Sequence, residues 1–131
     1  MELIADTSFL VGIWRRQPWA VEFARSNQGR ILGLPWVVVG EFWHGAIRAG
    51  HDRGRVEEFL RIGLPIHDAG AVVPFYVQAC VQSQEDGFYG NIGQNDLWIA
   101  AVSLSLRLPL VTRNRRHFHR IRDLHLQSLT D

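Results

Sequence analysis

Four short apolar segments, separated by longer segments with helical spacing, place the strongest constraint on the fold of this chain. They are residues 2–5, 30–34, 64–67 and 108–112. Their length and apolar character predict buried strands. Strands that alternate with helices along a chain form a mainly parallel sheet whose two faces are covered by helices. The sequence therefore predicts an α/β fold, with residues 124–126 as a candidate for a last strand.

The segments between these strands carry start signals for helices. Residues 35–49 contain a β-branched run that favours a strand, but their aromatic and aliphatic residues recur at helical spacing. We interpret them as a helix, and we predict further helices over residues 69–84 and 95–106. The predicted N-caps are Thr7 or Ser8, Asp52 and Asn95, and the predicted first helical residues are Pro18 and Pro35.

The composition fits one domain that spans residues 1–131. The formal net charge is +1, so charge alone does not indicate a polyanionic partner. The single cysteine excludes an intramolecular disulfide and fits a reducing compartment. Because the chain has neither a signal-peptide pattern nor an apolar run of membrane-spanning length, we expect a cytoplasmic protein with no membrane partner.

Asp96 begins a segment, residues 96–106, whose remaining residues are almost all apolar or small. A helix of this composition is expected to be buried on most sides. Burying an unpaired carboxylate is costly, so Asp96 needs a cation, a metal ion or hydrogen-bond donors nearby. Asp6 and Glu41 are the two other acids in apolar surroundings, Asp6 at the end of the first strand.

Ligands of parallel α/β sheets bind beyond the carboxyl ends of the strands, so we expect Asp6 and residues 112–114 near the start of the Asp96 helix. Three carboxylates brought together would raise one another's pKa values. A hard divalent cation such as Mg²⁺ or Mn²⁺ would relieve that repulsion. Spacing alone leaves an equal alternative, in which each acid is a separate cap or salt-bridge partner.

Four segments resemble the PIN-domain ribonucleases, and in particular the VapC-type toxins of bacterial toxin–antitoxin pairs. Residues 95–101 and 110–118 carry the specific part of the resemblance. Residues 4–8, and Glu41 with Gly45 behind it, are weaker matches that occur in the family's order. Together the four segments span nearly the whole chain.

The resemblance implies a PIN-like three-layer α/β/α domain with a short-stranded, mostly parallel central sheet of four to five strands, and it places Glu41 on a helix. It implies a metal-dependent endoribonuclease that hydrolyses RNA phosphodiester bonds with metal-activated water. Asp6, Glu41 and Asp96 would hold Mg²⁺ or Mn²⁺. The resemblance also implies an RNA substrate, a cognate antitoxin as protein partner, and a homodimer.

Asn114 departs from the family pattern, because many members carry a fourth acid near the end of the fourth strand. An amide can accept a hydrogen bond from metal-bound water but adds no charge. We therefore expect Asn114 to help orient water, and the number of metal ions, one or two, stays open. The hydroxyls of Ser8 and Thr112 are expected to support the acids.

Six of the 14 arginines lie between Arg107 and Arg122. This basic segment is predicted to contact RNA phosphates or an acidic part of a partner. The residues expected to make these contacts are Arg113, Arg115, Arg116 and His117.

Two other functions stay open at this point. A PIN domain that lacks the fourth acid could bind RNA or a protein without cutting. Asp6 could instead be the nucleophile of an aspartyl-phosphate phosphatase, although such enzymes usually have another Asp two residues later, where this chain has Ser8.

Overall fold

The computed structural model describes residues 1–129, and its centre is a four-stranded sheet. The strands are β1 (Leu3–Ala5), β2 (Leu32–Pro35), β3 (Leu64–Ile66) and β4 (Leu110–Val111). They lie in the order β3-β2-β1-β4, and every neighbouring pair is parallel. The predicted parallel sheet is confirmed, and each strand is shorter than the segment that predicts it.

Every residue of β1, β2 and β4 is buried. Successive side chains of a strand point to opposite faces of the sheet, so both faces of these strands must be covered. The edge strand β3 is instead exposed or half-buried. This burial pattern confirms the α/β class, with helices packed against a central sheet.

Seven α-helices lie within residues 1–129. The ambiguous residues 35–49 form a helix, in which Val38, Phe42 and Ala46 bury one face at helical spacing. A short 3₁₀ turn, Tyr89–Asn91, interrupts the predicted loop of residues 85–93. The helices are α1 (Thr7–Trp14), α2 (Pro18–Ser26), α3 (Trp36–Arg48), α4 (Arg53–Leu60), α5 (Ala69–Glu85), α6 (Gln94–Leu106) and α7 (Arg115–Phe118).

The predicted caps at the start of α1 are wrong. Asp6 is the capping residue by backbone conformation, and its side chain makes no capping hydrogen bond. The reason is that the hydroxyls of Thr7 and Ser8 bond to carboxylates rather than to the first turn of the helix. The local capping signal is thus overridden by contacts with residues distant in the chain.

Asn95 is not a cap either, because α6 begins one residue earlier, after the extended backbone of Gly93. Pro35 ends β2 and precedes the first helical residue of α3. Asp52 is confirmed as a cap, since its carboxylate accepts a hydrogen bond from the backbone N–H of Arg55 at 3.3 Å.

The predicted strand at residues 124–126 is reduced to one parallel bridge between Leu110 and Leu126. Its neighbour β4 is two residues long, and Pro109 before it has no N–H to extend the ladder. A fifth strand is therefore a wrong prediction for the described residues. The single domain expected over residues 1–131 includes residues 130–131, which lie outside the described residues.

The helix α6 is buried along most of its length, as predicted. It packs against α5 and also contacts α3 and α7, while α1 packs on α2 and α3. These contacts bring the starts of α1 and α6 together with the middle of α3. No helix within residues 1–129 combines the length and apolar character needed to cross a membrane.

Candidate active site

Asp6 lies at the end of β1, where the chain enters α1, and its side chain is almost fully buried, with 2% exposure. One of its oxygens, Oδ2, accepts hydrogen bonds from the Thr112 hydroxyl at 2.6 Å and from the Ser8 hydroxyl at 2.9 Å. These donors replace the water that the buried carboxylate has lost. Thr112 follows β4, the strand beside β1, so sheet order brings the two residues together.

Glu41 lies on α3, and its Oε1 accepts a hydrogen bond from the Thr7 hydroxyl at 2.8 Å. Thr7 is 34 positions away in the chain, directly after Asp6. Through this bond the first turn of α1 holds both acids, Asp6 through Ser8 and Glu41 through Thr7.

Asp96 lies in the first turn of α6, and its side chain is 20% exposed. Its Oδ2 is 2.9 Å from Nδ1 of His117 on α7. Burial raises the pKa of the Asp96 carboxyl, and the negative charges of Asp6 and Glu41 raise it further. The hydrogen bond and the charge of His117 lower this pKa. The three acids therefore share one electrostatic environment, although Asp6 also caps α1 by backbone conformation and Asp96 also pairs with His117.

The three acids line one cleft of about 630 Å³ at the carboxyl end of the sheet. Asn114 lines it as well, and its backbone N–H donates to the Thr112 hydroxyl at 2.9 Å. The other lining residues are Thr7, Ser8, Val11, Arg15, Gln17, Trp19, Arg113 and His117.

Two of the four predicted RNA-binding residues, Arg113 and His117, line this cleft. Arg115 and Arg116 lie on exposed positions of α7 and do not line it. The reason is that Phe118 is buried and anchors this short helix, which leaves both arginines on its outer side.

A sequence profile described as the PIN domain matches residues 3–124. The chain belongs to the PIN-domain family. One similar curated protein is Ribonuclease VapC1 of Haemophilus influenzae strain R2866, 54% identical over 39 residues. That match covers 30% of this chain and 29% of the curated protein.

Solved structures with this fold cover nearly the whole chain. VapBC2 from Rickettsia felis, bound to a DNA fragment from its promoter, has a TM-score of 0.83 at 20% identity and covers 99% of this chain and 100% of that one. VapBC-1 from nontypeable Haemophilus influenzae has a TM-score of 0.81 at 25% identity and covers 98% of each chain.

The donor chemistry of this PIN domain suits a hard divalent cation, because its three clustered acids offer oxygen ligands. Within residues 1–129 each of these acids accepts side-chain hydrogen bonds on one oxygen only. The second oxygen of each acid is thus left for a further ligand. As the side chains stand, no three Asp, Glu, His or Cys residues in residues 1–129 are grouped so that they could hold a metal ion. Joint coordination would need the carboxylates to move closer together.

Sequence reasoning missed the part of the cleft formed by α1 and the turn that follows it. Thr7 lies inside the motif of residues 4–8, and this position could have identified its hydroxyl as part of the site. Arg15, Gln17 and Trp19 follow α1 or open α2, where polar residues and a tryptophan look like ordinary surface and core. Only the tertiary packing of α1, α2 and β4 brings them to the acids.

Proposed function

We propose that this PIN domain is a metal-dependent endoribonuclease and the toxin of a toxin–antitoxin pair. The observation that carries the proposal is the convergence of Asp6, Glu41 and Asp96 on one cleft, where burial and the charges of the other two acids raise the pKa of Asp96. Such mutual repulsion is what a divalent cation relieves. The similarity to Ribonuclease VapC1 over 39 residues supports the same class of substrate.

In this proposal Asp6, Glu41 and Asp96 hold Mg²⁺ or Mn²⁺. Such an ion supplies a Lewis acid that stabilises negative charge on the phosphodiester and makes water a better nucleophile. Ser8 and Thr112 fix the orientation of Asp6 through their hydroxyls. Asn114 orients water through its amide, and the ion count, one or two, depends on how much the missing fourth charge weakens a second site.

The basic residues of the cleft are assigned to the substrate. Arg113 and His117 contact RNA phosphates next to the acids, and Arg115 and Arg116 extend this positive surface along α7. The proposed assembly contains a cognate antitoxin, since the similar folds come from VapBC proteins. We further propose that the antitoxin covers the cleft and that the domain forms a homodimer, as the resemblance to VapC-type toxins implies. We also propose that residues 1–131 form a single domain.

The decisive experiment is cleavage of total RNA by purified, antitoxin-free protein with Mg²⁺ or Mn²⁺, with chelator, and with the Asp96→Asn protein. Discrete products that disappear with chelator and with the variant are expected. Cleavage that persists in both conditions would remove the metal and Asp96 from the mechanism.

A PIN domain that binds RNA or a partner without cutting is the second candidate. It is favoured by two observations, the amide at Asn114 and the lack of a ready three-residue metal group within residues 1–129. RNA binding without products in either metal would support it. The phosphatase alternative has less support, because the almost fully buried Asp6 is poorly placed as a nucleophile.

A further inference from the structure

One residue of the cleft wall, Trp19, has no role in the proposed hydrolysis. Trp19 lines the cleft from α2, and the guanidinium carbon of Arg113 lies over its ring at 4.6 Å from the ring centroid. This distance is within the range of a cation–π interaction. The pair joins the start of α2 to the segment after β4, two regions that are distant in the chain.

Trp19 is held firmly in this position. Its Nε1–H donates to Oε1 of Gln17 at 3.1 Å, and its ring meets Gly12 so closely that a Cβ there would lie 2.6 Å from the ring. The turn before it contains Arg16 with a φ of 54°, a left-handed conformation that is unusual for a residue other than glycine. The left-handed turn at Arg16 and the absence of a side chain at Gly12 together allow the indole to reach the cleft.

Arg113 is tied to the acids from its backbone. Its N–H donates to the Ser8 hydroxyl at 3.0 Å, and that hydroxyl donates to Asp6. The side chain is exposed to solvent where it leaves the cleft wall. These two hydrogen bonds position the Arg113 backbone relative to the Asp6 carboxylate, and the Trp19 ring positions the guanidinium.

We propose that Arg113, carried on Trp19, is a stacking platform for the nucleobase next to the scissile phosphate. Unpaired RNA bases stack on arginine guanidinium planes as well as on aromatic rings. Arg113 contacts the base with the face of its guanidinium, which leaves the N–H groups of its edge for the neighbouring phosphate, and Trp19 is a positioning residue that acts through Arg113. This inference rests on the proposed ribonuclease function and adds a specificity determinant to it.

The test uses the Asp96→Asn protein, so that RNA is bound and not cut. The probe is a short single-stranded oligoribonucleotide of mixed sequence, with 2-aminopurine placed at each position in turn. We expect quenching of 2-aminopurine at one position, because stacking quenches its fluorescence, and loss of that quenching in Arg113→Lys. Arg113→Lys keeps the charge but loses the planar group, so a merely electrostatic contact with phosphate would leave binding almost unchanged.

Trp19→Ala should weaken binding roughly 5- to 100-fold, the range found when a stacking contact with a base is removed. Trp19→Phe should restore most of this loss, since a ring remains under the guanidinium. An abasic nucleotide at the quenched position should remove the difference between wild type and both Trp19 variants. In the cleaving protein, the same variants should raise KM more than they lower kcat.

The outcomes separate this inference from the function on which it rests. Normal cleavage and binding by Arg113→Lys and Trp19→Ala, with no quenched position, would overturn the platform alone. No RNA binding or cleavage by wild type would overturn both proposals. Loss of affinity for an antitoxin-derived peptide with unchanged RNA binding would also overturn the platform and assign this wall to the protein partner.

Discussion

Two cavities of this PIN domain differ more in chemistry than in size. One, of about 760 Å³, lies between α5, the end of α6 and residues 121–125, and the active-site cleft measures about 630 Å³. In the first, Gln82 bonds to the Arg120 carbonyl, to the Arg122 N–H and to the exposed Asp86 carboxylate, and Ser103 bonds to the Leu108 carbonyl.

In the active-site cleft, hydroxyl side chains accept hydrogen bonds from backbone N–H groups and also donate to buried or half-buried carboxylates. Thr112 bonds to Asp6 and Thr7 to Glu41, across separations of 106 and 34 positions. A side chain that binds backbone holds two segments together, whereas hydroxyls that bind carboxylates orient groups that can act on a ligand. Charged residues line both cavities, but the acids of the larger one, Glu85 and Asp123, are exposed, whereas the three acids of the active-site cleft are buried or half-buried. The burial of converging carboxylates, and not cavity volume, therefore distinguishes the active-site cleft.

The largest effect is expected from Asp96→Asn, which should lower ribonuclease activity roughly 100-fold or more, since one oxygen ligand and its charge are lost from the proposed metal site. Glu85→Gln is the matched control, because Glu85 lines the other cavity. It should cut RNA at the wild-type rate in the same gel assay. Equal losses in both variants would mean that the two cavities do not differ in the way proposed.

Thr112→Val keeps the shape of the side chain and removes a hydrogen-bond donor to the buried Asp6. Loss of such a supporting donor commonly costs about 10- to 100-fold in metal affinity or activity. Leaving the carboxylate short of a donor should also cost about 1–3 kcal/mol of unfolding free energy. Activity titrations with Mn²⁺ and urea unfolding measure the two effects separately.

Ser103→Ala is the comparison for Thr112→Val, since Ser103 is also buried but binds a backbone carbonyl beside the other cavity. It should lower stability by about 1 kcal/mol, the usual net value of one hydrogen bond. Its activity should equal that of wild type once both proteins are folded. A selective loss of activity in Ser103→Ala would contradict the division between the cavities.

The sheet and the three acids could be predicted from the sequence because they depend on local signals. Residues 2–5 are apolar and end at Asp6, and parallel strands place their carboxyl ends at one edge. Glu41 was harder, since its helix begins with a β-branched run, and only the buried face of Val38, Phe42 and Ala46 decides it. Capping at Thr7 failed because the hydroxyl bonds to Glu41 instead.

The wall formed by Trp19 and Arg113 could not be predicted from the sequence. Arg113 was predicted as an RNA contact, but Trp19 is ordinary in its own segment, and the contact between them depends on the turn at Arg16 and on the space left by Gly12. Such information is not periodic and lies in the packing of α1 against α2. For the same reason, the sequence did not predict which basic residues face the cleft. Arg113, which precedes α7, and His117 line it, whereas Arg115 and Arg116 do not.

Gln82→Leu tests whether the larger cavity, beside α5, contributes to stability and not to RNA cleavage. The buried amide of Gln82 links α5 to the backbone of Arg120 and Arg122, and leucine of similar size leaves those groups without this partner. The expected cost is about 1–3 kcal/mol of unfolding free energy. RNA cleavage at a temperature where the variant stays folded should fall less than twofold, and a larger fall would link this cavity to the active-site cleft.

The smallest expected effect is the pH dependence of stability in metal-free buffer. The pKa of Asp96 is raised in the folded protein, so between its unfolded and folded values the native state binds more protons. Stability is then lost as pH rises through this window, and at pH 7 charged Asp96 is a net cost. Asp96→Asn removes that cost, so its Tm should exceed that of wild type at pH 7, by no more than a few degrees. The advantage should shrink as pH falls towards the ordinary carboxyl pKa, about 3.9.

Added Mn²⁺ should reverse the order of the two Tm values, because only wild type keeps all three acids to bind it. An Asp96→Asn protein that melts below wild type at neutral pH without metal would mean that the His117 contact outweighs the repulsion from Asp6 and Glu41.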